Sequence, residues 1–200
     1  MRQHDTIMAP VKRPETYKAK RSIMEMAKEE SLVVMAFKTT DIKNTDRYGL
    51  DVLSSVMSGA SGRLFAQLRN KSSLAYTLGC DEKLGVDSGY FVFYIATTKD
   101  RIQEAKKALT YEIKLLCDKG LEDQELARAK KELVTGHHIR MQTNSYYSLH
   151  SALDELYGLG YGDLYKYADE IEKVTKEDIK NVAQKYFSIS DYAEVVVEPK

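Results

Sequence analysis

The spacing of hydrophobic residues changes several times along this chain, and each change marks an element. Residues 21–27 and 32–38 read as two strands, the second carrying Leu32-Val33-Val34-Met35-Ala36-Phe37. Lys28-Glu29-Glu30 between them is polar and suits a turn. From about Thr45 to Met57 the repeat becomes helical, with Tyr48, Val52, Leu53 and Val56 on one face. A short helix is expected from Ser61 to about Asn70, where Leu64, Phe65 and Leu68 recur at helical spacing and Ser61 is placed as the N-cap. Lys71-Ser72-Ser73 then turns the chain into a short strand, Leu74 to Cys80. Tyr90-Phe91-Val92-Phe93-Tyr94-Ile95-Ala96 is the strongest strand pattern. Such a continuous apolar run suits a strand covered on both faces or paired centrally.

Helices dominate the second half. Asp100 opens an amphipathic segment with Ile102, Ala105, Leu109, Ile113 and Leu116 inward, ended by Gly120. Glu122 and Asp123 give the next helix an acidic first turn, and Leu126, Ala129 and Leu133 form its stripe. More helix is expected from about Ser145 to Leu156, followed by a loop punctuated by Gly158, Gly160 and Gly162. Thr175-Lys176-Glu177-Asp178 reads as a capped helix start, with Ile179, Val182, Ala183 and Tyr186 as the apolar stripe. A last strand, Ala193 to Val197, precedes Pro199. The pattern predicts an α+β domain, a mainly antiparallel sheet covered by helices, in the order ββααββ–helices–β. Residues 1–20 differ: Pro10, Pro14, Lys12, Arg13, Lys18 and Lys20 sit there almost without apolar periodicity. They read as a linker or tail ahead of a single domain, 21–200, and suggest a domain cut from a longer chain.

Composition narrows the function classes. An apolar content of 43% can supply a core for 200 residues. Lys plus Arg and Asp plus Glu both number 30, so the formal net charge is zero, which argues against nucleic acid as a partner. Cys80 and Cys117 make no disulfide framework and are expected to be buried thiols. No apolar run approaches membrane-spanning length. Arg2 is followed by no hydrophobic signal-peptide region, so the chain reads as soluble, with its compartment open.

Several groups invite chemistry. His137 and His138 are adjacent, so on a helix they point about 100° apart and are poorly placed to share a metal. His150 and Asp154 share a helix face at i, i+4 but lack a third ligand nearby in sequence. Gly158-Leu159-Gly160-Tyr161-Gly162 lacks the Lys-Ser/Thr ending of a phosphate loop. No serine stands in a nucleophile elbow. The tyrosines from Tyr146 to Tyr167 either line a surface for a peptide or partner, or pack half-buried between helices.

Arg69 and Tyr76 are the sharper pair. Arg69 lies in the last turn of its predicted helix and Tyr76 near the start of the next strand. At one sheet edge a guanidinium and a phenolic hydroxyl can converge on a carbonyl oxygen. The alternative is that Arg69 only complements the helix dipole and Tyr76 fills a strand position.

Ser61-Gly62-Arg63-Leu64-Phe65 leading into Arg69 and Leu74-Ala75-Tyr76 resembles a segment of the insulinase and mitochondrial-processing-peptidase family of inverted zincins, in its C-terminal, non-zinc-binding half. Gly89-Tyr90-Phe91, Leu121 to Leu126 with Ala129-Lys130, and Val174 to Ile179 support the resemblance, which runs from about residue 25 to 198. In that family one half carries His-x-x-Glu-His, two histidines for zinc and a glutamate as general base. The resemblance implies that Arg69 and Tyr76 hold an extended peptide substrate and stabilise the oxyanion, while another domain or subunit, in cis or in trans, supplies zinc. This sequence contains neither His-x-x-Glu-His nor His-Glu-x-x-His, so no metal ligand is assigned to it and it is expected to be inactive alone. The runner-up is a non-catalytic scaffold subunit or peptide-binding module of the same fold.

Overall fold

A computed structural model describes residues 20–59, 61–71, 73–75 and 77–200. The tail expected over residues 1–20 lies outside them except for Lys20, and Tyr76 lies outside them as well. The sheet strands are β1 (Arg21–Met26), β2 (Ser31–Thr39), β3 (Thr77–Leu84), β4 (Gly89–Thr97) and β5 (Ala193–Pro199), in spatial order β1-β5-β2-β4-β3. β5 pairs antiparallel with β2, as do β2 with β4 and β4 with β3, whereas β1 and β5 run parallel. The fold is α+β with a mainly antiparallel sheet. One expectation changes: β1 and β2 follow each other in sequence, yet β5 lies between them. The last strand takes that place because Val195, Val196 and Val197 bridge both neighbours.

Alternation along the strands builds the core. Val33, Met35 and Phe37 of β2 and Phe91, Phe93 and Ile95 of β4 are fully buried on one face. Phe37 and Phe93 meet edge to face at 5.9 Å between centroids, and Phe187 sits 4.9 Å from Phe91. β4 is paired on both sides, as its apolar run anticipates.

Helices α1 (Asp46–Met57), α2 (Ile102–Lys119) and α6 (Lys176–Tyr186) supply the opposing apolar stripes. In α2 the expected Ile102, Ala105, Leu109, Ile113 and Leu116 are all buried, and Gly120, at φ 72°, ends it. Asp100 falls in a 3-10 turn just before α2. α3 (Asp123–Met141) opens on a capping box of Glu122 and Glu125, and α6 on one of Thr175 and Asp178. α4 (Asn144–Leu156) and α5 (Tyr167–Lys173) complete the helices.

Some segments differ from the sequence reading. The strand expected over Leu74 to Cys80 is instead β3, Thr77–Leu84. Leu74 is buried in a connection, where its N–H donates to Leu68 O at 3.0 Å and its carbonyl accepts from Thr97 Oγ1 at 2.7 Å. The charged run Asp81-Glu82-Lys83 hides strand character that pairing with β4 enforces. Residues 163–173, read as no helix, hold a 3-10 turn and α5; α5 spans 7 residues and buries only Ile171, too little for a visible period.

Candidate functional site

The α1-to-β3 connection positions Arg69. Gly59 takes φ 76°, and a Cβ at Gly62 would lie 2.0 Å from Ser58 O, so glycine alone permits this close turn off α1. The helix that follows is not the expected α-helix capped by Ser61. It is a π-helical segment, Phe65–Lys71, and Ser61 Oγ instead accepts from Arg128 Nη1 at 2.8 Å. π-helical turns are uncommon and concentrate at functional sites. Within it the Arg69 guanidinium stacks over Phe65, four residues earlier, 4.9 Å from the ring centroid. Arg69 is exposed, and among the described residues no carboxylate forms an ion pair with it.

The segment ends under strain. Ser73 adopts φ 48°, a left-handed conformation uncommon outside glycine, while its N–H donates to Arg69 O at 3.0 Å. Arg101 Nη1 donates to Ser73 O at 2.8 Å and Ala75 is buried, so the approach to β3 is anchored. Arg63, by contrast, is structural. It donates to Gly120 O at 3.2 Å and pairs with Glu125 through Nε at 2.8 Å and through Nη2. Burial alone would raise the Glu125 carboxyl, but the Arg63 hydrogen bonds hold it below the ordinary range.

A second polar site was not anticipated. A cavity of about 410 Å³ opens between α1, β3, α3 and α4, lined among others by Arg47, Asp51, Glu82, His137, His150 and Asp154. It gathers His137, His150 and Asp154 from the sequence candidates and leaves exposed His138 out. His137 is buried, its ring 4.9 Å from that of Tyr167, and burial lowers its pKa. His150 stacks on Tyr146 at 4.0 Å. Asp51 and Glu82 hydrogen-bond to each other and Tyr167 to Asp51; burial raises both carboxyls, Glu82 well above its ordinary value with Asp51 beside it. Arg47 donates to Ile42 O at 3.0 Å and pairs with Asp163 at 2.6 Å. Asp51 and Glu82 are distant in sequence; the one clue is a carboxylate at an inward position of each element.

Among the described residues no group of three or more His, Cys, Asp or Glu side chains is placed to hold a metal ion, so the cavity does not fit zinc. Both cysteines are poor nucleophiles: burial pushes the Cys80 thiol up to about 12 and the Cys117 thiol up to about 11. Cys80 is buried as expected, whereas Cys117 is only partly so. No described helix is long and apolar enough to cross a membrane.

Fold and site together define an α+β domain with an exposed arginine beside an edge strand and no metal-ligating cluster among its described residues. Residues 3–133 match the family model described as the Peptidase M16 inactive domain, and the chain belongs to that family. An uncharacterized zinc protease of Rickettsia felis is 29% identical over 183 residues, covering 88% of this chain and 43% of that protein. The mitochondrial-processing peptidase subunit alpha of Caenorhabditis elegans is 28% identical over 170 residues, covering 78% of this chain and 32% of that protein. The crystal structure of a peptidase M16 inactive domain from Pseudomonas fluorescens superposes with a TM-score of 0.84 at 19% identity, over 96% of this chain and 47% of that one. The chain thus spans less than half the length of these curated relatives.

Proposed function

We propose that this domain completes the active site of a zinc metallopeptidase by gripping an extended peptide and stabilising the oxyanion, the zinc and general base being supplied by a second half. The observation that carries this reading is Arg69, an exposed guanidinium held over Phe65 at the end of a π-helical segment that leads into β3. β3 has a strand neighbour on one side only among the described residues, so its other edge is available to pair with a peptide backbone. Arg69 and Tyr76 supply the donors for the carbonyl oxygen as negative charge develops on it. Zinc chemistry belongs wholly to the partner half, and this chain's task is to bind and orient.

The test is turnover by this domain combined with its zinc-bearing half, in cis or by mixing, for wild type, Tyr76→Phe and Arg69→Ala. Loss of an oxyanion donor is expected to lower kcat by about 10²–10³. Thermal stability should change little, on the order of 1 kcal/mol for a site outside the core. Near-wild-type turnover in both variants would overturn the gripping role and leave the scaffold reading.

A further inference from the structure

Every backbone polar group of Ser73 and Leu74 is hydrogen-bonded, and none of these bonds belongs to a helix or a strand ladder. The two N–H groups donate back to the segment before them, Ser73 N to Arg69 O and Leu74 N to Leu68 O, each at 3.0 Å. The two carbonyls accept from side chains further along the chain, Ser73 O from Arg101 Nη1 at 2.8 Å and Leu74 O from Thr97 Oγ1 at 2.7 Å. We propose that Thr97 and Arg101 are positioning residues, which hold the connection between Arg69 and β3 so that the donors for the substrate carbonyl keep a fixed separation. The effect on the reaction rests on the gripping reading above; the clamp rests on these bonds.

Thr97 is the last residue of β4 and is 1% exposed. Its backbone pairs with Ser31 of β2, so the hydroxyl is not needed for the ladder. Valine would fill a buried strand position of that shape equally well. The hydroxyl instead meets the Leu74 carbonyl, which is buried and must be paired. The β3–β4 ladder cannot pair it, because that ladder starts only at Thr77, opposite Ala96. Thr97 therefore extends the grip of β4 beyond the end of the ladder. Arg101 closes the 3-10 turn that follows β4, and Glu104 fixes its guanidinium from the other side, accepting from Nε at 3.0 Å. Both clamping side chains thus come from one stretch, the end of β4 and the turn into α2.

Ser73 gives an independent sign that the connection is built for a task. Its φ of 48° is left-handed, and a residue with a Cβ keeps such a conformation only where its surroundings over-determine it. Such residues gather at functional sites. Arg69 is fixed through both its ends, its carbonyl by the Ser73 N–H and its guanidinium over Phe65. On the far side of the connection, Leu74 and Thr77 are held before and after Tyr76 in the chain. Misplacing a catalytic group by about 1 Å can cost 10²-fold in rate. Charge grows on the carbonyl oxygen only after the peptide is bound, so a loosened clamp should act on kcat rather than on KM.

The test uses the domain combined with its zinc-bearing half. Thr97→Val keeps the shape of the side chain and removes the hydroxyl. It is expected to lower kcat about tenfold with KM unchanged, and Thr97→Ser, which returns a hydroxyl, should recover most of that loss. In a Tyr76→Phe background Thr97→Val should cost less than about threefold, because one donor it positions is already gone. An equal fall in both backgrounds, a fall that Thr97→Ser does not repair, or no fall at all overturns the positioning role. Arg101→Met, with Arg101→Lys as its repair, serves the same comparison if Thr97→Val does not fold. A second arm follows amide exchange in the full chain by NMR. Thr97→Val should speed exchange at Ser73 and Leu74 by about tenfold or more and leave Phe93 and Ile95 unchanged, and unchanged exchange at Ser73 and Leu74 overturns the clamp. Near-wild-type turnover of both Arg69→Ala and Tyr76→Phe would overturn the gripping reading and the positioning role with it. A loss in those two variants with wild-type kcat in Thr97→Val would overturn the positioning role alone.

Discussion

Helices α2 and α4 invest their side chains in opposite ways. α2 sends Ile102, Ala105, Leu109, Ile113 and Leu116 into the core, while no residue of α4 is buried. The same contrast separates two regions. One is the apolar layer between the sheet and α1, α2 and α6, where Phe37, Phe91 and Phe93 are fully enclosed. The other is the lobe of α4, α5 and the end of α3, which surrounds a charged cavity and leaves Ile139, Leu149, Tyr161 and Tyr165 largely exposed. Hydrophobic burial stabilises the first, whereas the second relies on ion pairs and hydrogen bonds whose net contributions are small. The apolar core and the charged cavity thereby occupy different parts of one domain.

Substitutions put that division to the test. The largest effect is expected from Phe93→Ala. It opens a cavity beside Phe37 and Phe187 and should cost about 3–5 kcal/mol, read as a fall in the urea midpoint. A loss below about 1 kcal/mol would mean that the aromatic cluster is not the main source of stability.

A smaller effect, dependent on pH, belongs to the cavity. The folded chain holds a proton on the Asp51–Glu82 pair after the unfolded chain has released its own, because both carboxyls are raised from 3.8 and 4.5. A raised folded-state pKa contributes stability below the unfolded value, and that contribution is lost as pH climbs through the folded value. Glu82→Gln, which mimics the protonated form, should therefore gain on wild type as pH rises above 4.5. Urea midpoints between about pH 4 and pH 8 read the difference, and parallel curves would refute the shared proton.

The smallest effect is expected at Leu156, which is 77% exposed on α4. Leu156→Ala should change stability by no more than about 0.5 kcal/mol in thermal melts of the isolated chain. A larger loss would show that α4 is packed more firmly than its exposure indicates.

The same division explains what could be read from the sequence. The stripe of α2, the central strand β4 and the cap at Thr175 announce themselves because one period or one local hydrogen bond determines each. β3 was misplaced because Asp81, Glu82 and Lys83 carry no apolar alternation; pairing with β4 makes that stretch a strand. Arg69 stood out through the motif around it, but its π-helical setting depends on the tight glycine turn off α1. The cavity was invisible because it arises where α1, β3, α3 and α4 meet, and no local pattern records that meeting.

The placement of β5 also has a consequence for the order of assembly. β1 has β5 as its sole strand neighbour among the described residues, and β5 is the last strand in the chain. β3 and β4 form a hairpin and can pair early, β2 joins β4 across an intermediate separation, and the β1–β5 ladder closes a loop nearly as long as the domain, a kind of contact that forms slowly. Until that loop closes, β2 presents an open edge and β1 has no place in the sheet. The first strand of this sheet in chain order is thus among the last to find its register.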